Sequence, residues 1–159
     1  MIIKALADQQ LPIYGDGQNI RDWLFVEDHA SALALVIERG CIGETYNIGG
    51  RSERTNLTVV ETICDLLDRL EPSRNGSRRR LISFVEDRQG HDRRYALDTS
   101  KIEQELGWRA RETFETGMAK TVRWYLENRA WWQAIIERGY DGNRIGLGRP
   151  RAGAAGIAP

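Results

Sequence analysis

The sequence predicts an α/β chain, and three observations lead there. Short runs of β-branched and aromatic residues are closed by Gly, Pro and Asp turn signals near residues 14, 26, 48 and 85. Longer segments between them repeat apolar residues at helical spacing. A content of 41% hydrophobic and 29% charged residues over 159 residues suits a globular chain with a core of its own.

In chain order, Met1 to Asp8 reads as a short helix without a cap, as if the chain were entered in mid-element. Leu11-Pro12-Ile13-Tyr14 is extended and stops at the turn Gly15-Asp16-Gly17. Ile20 to Val26 is rich in Trp, Phe and Val and is expected to be a strand. Glu27 to Gly40 spaces Ala30, Ala32, Leu33, Leu35 and Val36 as a helix ended by Gly40. Glu44 to Ile48 is expected to be a strand closed by Gly49-Gly50. Asn56 to Leu70 is a second helix, striped by Val59, Val60, Ile63, Leu66, Leu67 and Leu70, with Asn56 as its N-cap and Pro72 beyond it.

Arg74 to Arg80 is a polar loop, and Leu81 to Val85 a strand. After the turn Asp87-Gly90, an Arg-rich extended piece runs to Leu97. Asp98 or Ser100 caps a helix to Leu106, Ser100 and Glu103 matching a capping box, and Gly107 ends it. Thr113 to about Arg138 is a single long helix pattern. From Gly142 the chain is rich in Gly, Ala, Pro and Arg without a pattern, and a disordered tail is expected.

Equal counts of 23 basic and 23 acidic residues give no bulk positive field, which argues against a nucleic-acid coat or a membrane-surface binder. No apolar run is long enough to cross a bilayer, and the N-terminus is not a signal peptide. Cys41 and Cys64 are too few and too far apart for a disulfide framework, so a reducing cytoplasm is the simple reading. With His29 and His91 as the two histidines, a metal centre is not expected. Arg78-Arg79-Arg80 reads as solvated surface, His29 as structural, and Trp124, Trp131 and Trp132 as core and interface. No G-x-G-x-x-G follows a strand, and no Tyr stands four residues before a Lys.

The stretches LPIYGDGQNIRDWLFVEDHASAL, GETYNIGG, NLTVVETICDLLD, DRQGHDRRYALDTSKIEQELGW and FETGMAKTVRWYLENRAWW follow one another in this order. Together they resemble the C-terminal half of the dTDP-glucose 4,6-dehydratase family, in the extended branch of the short-chain dehydrogenase/reductases. The resemblance covers about residues 1 to 142. RDWLFVEDH occurs more loosely in sugar-nucleotide epimerases and decarboxylases; GHDRRYALD is more particular to the dehydratases.

The resemblance implies the substrate-binding portion of a Rossmann-type enzyme. Residues 1–26 and 51–142 would build the substrate domain. The helix and strand of 27–50 would return to complete a Rossmann sheet, leaving 143–159 as the tail. It further implies an NAD-dependent lyase that converts dTDP-glucose to dTDP-4-keto-6-deoxyglucose and water, in deoxysugar biosynthesis, and that is a homodimer at full length. In such enzymes the N-terminal half carries the NAD site and the catalytic residues. This chain would therefore hold no catalytic residue, bind no NAD, be inactive alone, and have dTDP-glucose or dTDP and the N-terminal half as partners. Another sugar-nucleotide epimerase or decarboxylase, or a free-standing sugar-nucleotide-binding module, remains open.

Six residues match the family's ligand positions. Arg21 and Arg88 would grip the diphosphate, since planar Arg forks pair bidentately with phosphate; each also has an acidic neighbour for a surface salt bridge. Asn56 has two roles open, helix cap and diphosphate contact, and both can hold at once. Pro12 and Tyr14 would lie beside the nucleoside, with Tyr14 stacking on the base. His91 would reach the same ligand as a hydrogen-bond donor, or be a turn histidine held by Asp92. Tyr140 falls in the segment where the family brings a residue to the ligand. Without the chain's structured edge partners, Leu33, Val36, Tyr46 and Ile48 would face water or a second copy.

Overall fold

The computed structural model describes residues 1–139, and the chain divides into two units, Met1–Glu127 and Asn128–Pro159. The first unit begins with helix α1 (Ile2–Leu6), followed by strands β1 (Leu11–Tyr14) and β2 (Ile20–Asp22) and helix α2 (Val26–Arg39). Strand β3 (Glu53–Thr55) runs into α3 (Asn56–Leu70). A single 3-10 turn (Arg78–Leu81) leads to β4 (Ile82–Val85), and α4 (Ser100–Leu106) and α5 (Phe114–Glu127) complete the unit. In the second unit the described residues form α6 (Arg129–Glu137).

The main core lies around α3. Its Val59, Val60, Ile63 and Leu67 meet Ile2 and Ala5 of α1, Leu11 and Ile13 of β1, Leu81, and Phe114 and Val122 of α5. Alternation along β1 sends Leu11 and Ile13 inward and leaves Pro12 and Tyr14 half-buried on the other face. β1 pairs in parallel with β4, Leu11 opposite Ile82 and Tyr14 opposite Val85. β2 pairs antiparallel with β3. A second cluster joins Ala32 of α2 to Ile102 of α4 and to Trp108, whose indole N–H donates to Ser31 Oγ at 3.0 Å.

Three carboxylates fix the loops. Asp28, buried on α2, accepts from the amides of Arg111 and Glu112 at 3.1 and 2.9 Å. Asp22 accepts from the amides of Gly50, Arg51 and Ser52. The Gly49-Gly50 pair is demanded by that approach: a Cβ on Gly49 would lie 2.4 Å from Asp22 Oδ2, and one on Gly50 2.2 Å from the Trp23 carbonyl oxygen. Asp68 on α3 pairs with the buried Arg78 guanidinium at 3.0 Å. Arg78 also donates to the Ala5 and Glu71 carbonyls, tying α1 and the end of α3 together.

Several elements differ from the sequence expectation. Glu44 to Ile48 carries no strand, because no described strand lies beside it to pair with; Tyr46 and Ile48 instead pack half-buried on the Ala32–Ile102–Trp108 cluster. β2 stops at Asp22, and the aromatic run beyond it leads into α2. The cap of α3 is Thr55, whose hydroxyl accepts from the Thr58 amide at 3.1 Å, so Asn56 is the first helical residue and not the N-cap. The long helix is broken at Asn128, which leaves the helical region (φ −109°, ψ 39°); Asn side chains compete for backbone groups in helix interiors.

Arg78 is buried, not solvated, while Arg79 pairs with Asp65 and Glu61 and Arg80 with Asp8. Leu33 is exposed as expected, but Val36 is half-buried in the second cluster; Val26, Ile37 and Ile42 carry the exposed apolar surface instead. His29 is exposed on α2. Tyr140 and the tail lie outside the described residues.

Candidate functional site

The six residues expected to bind ligand reach the structure from four segments arranged around β2. Because Tyr14 ends β1 opposite Val85, the loop that follows β4 emerges beside it. That loop places the Arg88 guanidinium over the Tyr14 ring, 5.1 Å from its centroid. Pro12, opposite Ser83, lies one pleat back on the same half-buried face as Tyr14. The loop then returns to β2: the Ile20 amide donates to the Arg93 carbonyl at 2.7 Å, and Tyr95 N–H donates to the Ile20 carbonyl at 3.1 Å. On the opposite edge of β2, β3 delivers Asn56, whose amide donates to the Asn19 carbonyl at 3.0 Å. No described residue hydrogen-bonds the Asn56 side chain, which is half-buried.

Both arginines lie on aromatic faces, and Arg21 is held by carbonyls as well. Arg21 donates to its neighbour Ile20's carbonyl at 2.7 Å and to the Asp92 carbonyl at 3.0 Å, and its guanidinium lies 4.4 Å from the Tyr95 ring centroid. The Asp22 salt bridge anticipated for Arg21 does not form, because Asp22 is engaged by the amides of residues 50–52. Such cation–π contacts fix a guanidinium without neutralising it, so its charge stays available to an anion. Tyr95 donates to the Asp92 carboxylate, which holds the phenol above its ordinary range; Arg21 and Arg88 both act in the opposite direction. Arg21 on the Tyr95 ring and Arg88 on the Tyr14 ring, both within electrostatic reach of the Tyr95 phenol, make up a patch of cationic and aromatic groups.

His91 is held by Asp87, not by Asp92: its Nδ1 lies 2.6 Å from Asp87 Oδ1. The same oxygen accepts from the Arg88 amide at 2.8 Å. The His91 bond first, and then the Arg88 amide, keep the Asp87 carboxyl below the usual range. The imidazole is 4% exposed, and its Nε2 is buried without a partner, as is Oδ1 of Asn19. Asp87 also sets the residue opposite it. A Cβ at Gly15 would lie 2.8 Å from Asp87 Oδ2, and Gly15 has φ +58°, so glycine is favoured on both counts.

Asn19, Asp87 and Tyr95 are the members that the sequence did not reveal. Asn19 donates from Nδ2 to the Asp92 carbonyl at 3.2 Å, the carbonyl that also receives Arg21. Only the spacing of Asp87 and His91, four apart, carried a local signal. The others depend on pairings between distant segments.

Chemically, the patch suits a dianion beside a flat ring. The Gly15-Asp16-Gly17 turn leads from β1 toward β2 and not into a helix. Among the described residues no group of His, Cys, Asp and Glu could hold a metal ion.

The α/β arrangement is that of part of an extended short-chain dehydrogenase/reductase of the Rossmann-type dehydratases. The chain belongs to the family described as GDP-mannose 4,6 dehydratase, whose profile matches residues 1–121. It is 54% identical over 152 residues to a dTDP-glucose 4,6-dehydratase of Neisseria meningitidis serogroup B, covering 94% of this chain and 43% of that protein. The chain thus spans less than half the length of this relative. Among solved structures it is similar to dTDP-glucose 4,6-dehydratase from Streptomyces venezuelae with NAD and TYD bound. That likeness has a TM-score of 0.75 and 42% identity, over 84% of this chain and 39% of that one. It is also similar to the Bacillus anthracis enzyme in complex with NAD, with a TM-score of 0.72 and 45% identity over 84% of this chain and 40% of that one.

Proposed function

We propose that this chain forms the sugar-nucleotide-binding portion of a dTDP-glucose 4,6-dehydratase, in which Arg21, Asn56 and Arg88 hold the diphosphate and Pro12, Tyr14 and His91 border the nucleoside. The observation that carries this reading is that Arg21 lies on the Tyr95 ring and Arg88 on the Tyr14 ring, neither in a salt bridge among the described residues. Two such forks match the two charged groups of a nucleoside diphosphate. The relatives' names supply the nucleotide and the reaction, and NAD belongs to the whole enzyme. No contact to NAD is assigned to this chain's described residues, and it is proposed to bind dTDP and dTDP-glucose without turning them over.

Titration calorimetry of the 159-residue chain tests this. dTDP is expected to bind and thymidine to bind far more weakly. Equal affinity for the two, or conversion of dTDP-glucose by the isolated chain in the presence of NAD, would overturn it.

A further inference from the structure

One carboxylate touches three site residues or their neighbours and belongs to none of the expected ligand contacts. Asp87 accepts the Arg88 amide, pairs with His91 Nδ1, and packs against the glycine that follows Tyr14. An ionised carboxylate is acceptor-only. The hydrogen between Asp87 and His91 therefore sits on Nδ1, and in the neutral ring Nε2 is left with a lone pair. That nitrogen is buried and meets no donor among the described residues. A buried acceptor without a donor costs free energy unless a ligand supplies one.

We propose that Asp87 is the positioning residue of this site: it fixes His91 in the Nδ1–H tautomer, so that Nε2 serves as an acceptor for a hydroxyl or N–H group of the bound sugar nucleotide and not as a donor to its phosphates. The phosphates are left to Arg21, Asn56 and Arg88. Asp87 has a second effect through the same contacts. It locks the loop that carries Arg88 and His91 against the turn after β1, and so keeps Arg88 over Tyr14. This inference rests on the sugar-nucleotide reading for the identity of the ligand, but the tautomer itself does not.

Asp87→Asn keeps the size of the side chain and its capacity to accept the Arg88 amide, while removing the charge that selects the tautomer. Nitrogen-15 spectra of the His91 ring in the unliganded full chain, recorded at alkaline pH, read the tautomer directly. The wild type is expected to show Nδ1–H, and Asp87→Asn a shift toward Nε2–H. For dTDP, Asp87→Asn and His91→Gln should each weaken binding about 3- to 10-fold, the range for one neutral hydrogen bond. The double variant should weaken it no further than the stronger single one, because both changes remove one interaction. Pyrophosphate affinity should not change in His91→Gln.

A wild-type ring protonated on Nε2 overturns the proposal whether or not dTDP binds. So does dTDP binding that Asp87→Asn leaves unchanged. If dTDP fails to bind the wild type while the tautomer is as expected, the nucleotide reading fails and the Asp87 assignment stands. Should Asp87→Asn not fold, Asp87→Glu provides the second variant: it retains the charge, and Nδ1–H is expected to persist in it.

Discussion

Arg21 on β2 and Arg88 in the loop after β4 are proposed to hold the same diphosphate, and their removal separates charge from shape. A hydrogen bond to a charged group contributes about 1.5–3 kcal/mol, so Arg88→Ala should weaken dTDP binding roughly 10- to 150-fold. Arg88→Lys should recover only part of this, because an ammonium cannot reproduce the planar fork or its stacking on Tyr14. Calorimetry against dTDP and thymidine checks both: the loss should appear with the first ligand and not with the second. The two thiols differ just as sharply. Cys41 is exposed, whereas Cys64 is buried in the core and its thiol is pushed up to about 11, first by burial and then by Asp68 and Asp65. A thiol-specific reagent at neutral pH should modify Cys41 quickly and reach Cys64 only on unfolding.

At the scale of elements, the joint between α1, α3 and the 3-10 turn is the most sensitive to substitution. Asp68→Ala would leave the Arg78 guanidinium buried without its counter-charge. Losing one partner of such a pair costs about 3–5 kcal/mol, readable as a fall in the urea midpoint with little change in slope. Gly50→Ala should also destabilise, by about 1–3 kcal/mol, because a backbone carbonyl cannot step aside as a side chain can.

The elements differ in how openly the sequence declares them. α3 was legible in its span, since its apolar stripe, the polar residues before it and Pro72 after it all agree, though its cap is Thr55 and not Asn56. The segment 44–48 was not, because a strand is a relation to a neighbour and composition alone does not supply one. Arg78 defeated the reading of an arginine run as surface for a similar reason: its burial is decided by Asp68, ten residues earlier on another element. The proposed ligand residues came from motif resemblance. Asn19, Asp87 and Tyr95, which position them, could be seen only once β2 had its two neighbours.

For the whole molecule, acid should be the weak direction. Asp65, Asp68, Asp87, Glu53, Glu112 and Glu115 all have carboxyls held below their ordinary values of 3.8 for Asp and 4.5 for Glu. A carboxyl depressed in the folded state stabilises it fully above the unfolded value, and that contribution is lost as pH falls through the folded one. Stability followed by circular dichroism should therefore be flat toward neutral pH and decline from about pH 4.5 downward. Salt should blunt the decline, because most of these pairs are at the surface.

The parallel pairing of β1 with β4 also has a consequence in time. Leu11 and Ile82 are 71 residues apart, with α3 in the chain between them. Joining such remote segments is slow, since the entropy of closing the loop is lost before any contact is gained. Tyr14 and Arg88 come together through that same pairing, so the proposed nucleotide patch is expected to be finished only after the pairing itself, past the folding barrier. A ligand that grips only the finished patch should leave the refolding rate of the chain unchanged and slow its unfolding alone. Stopped-flow measurements with and without dTDP would register it as a shift of a single arm of the chevron, so that nucleotide lengthens the life of the folded chain without hastening its birth.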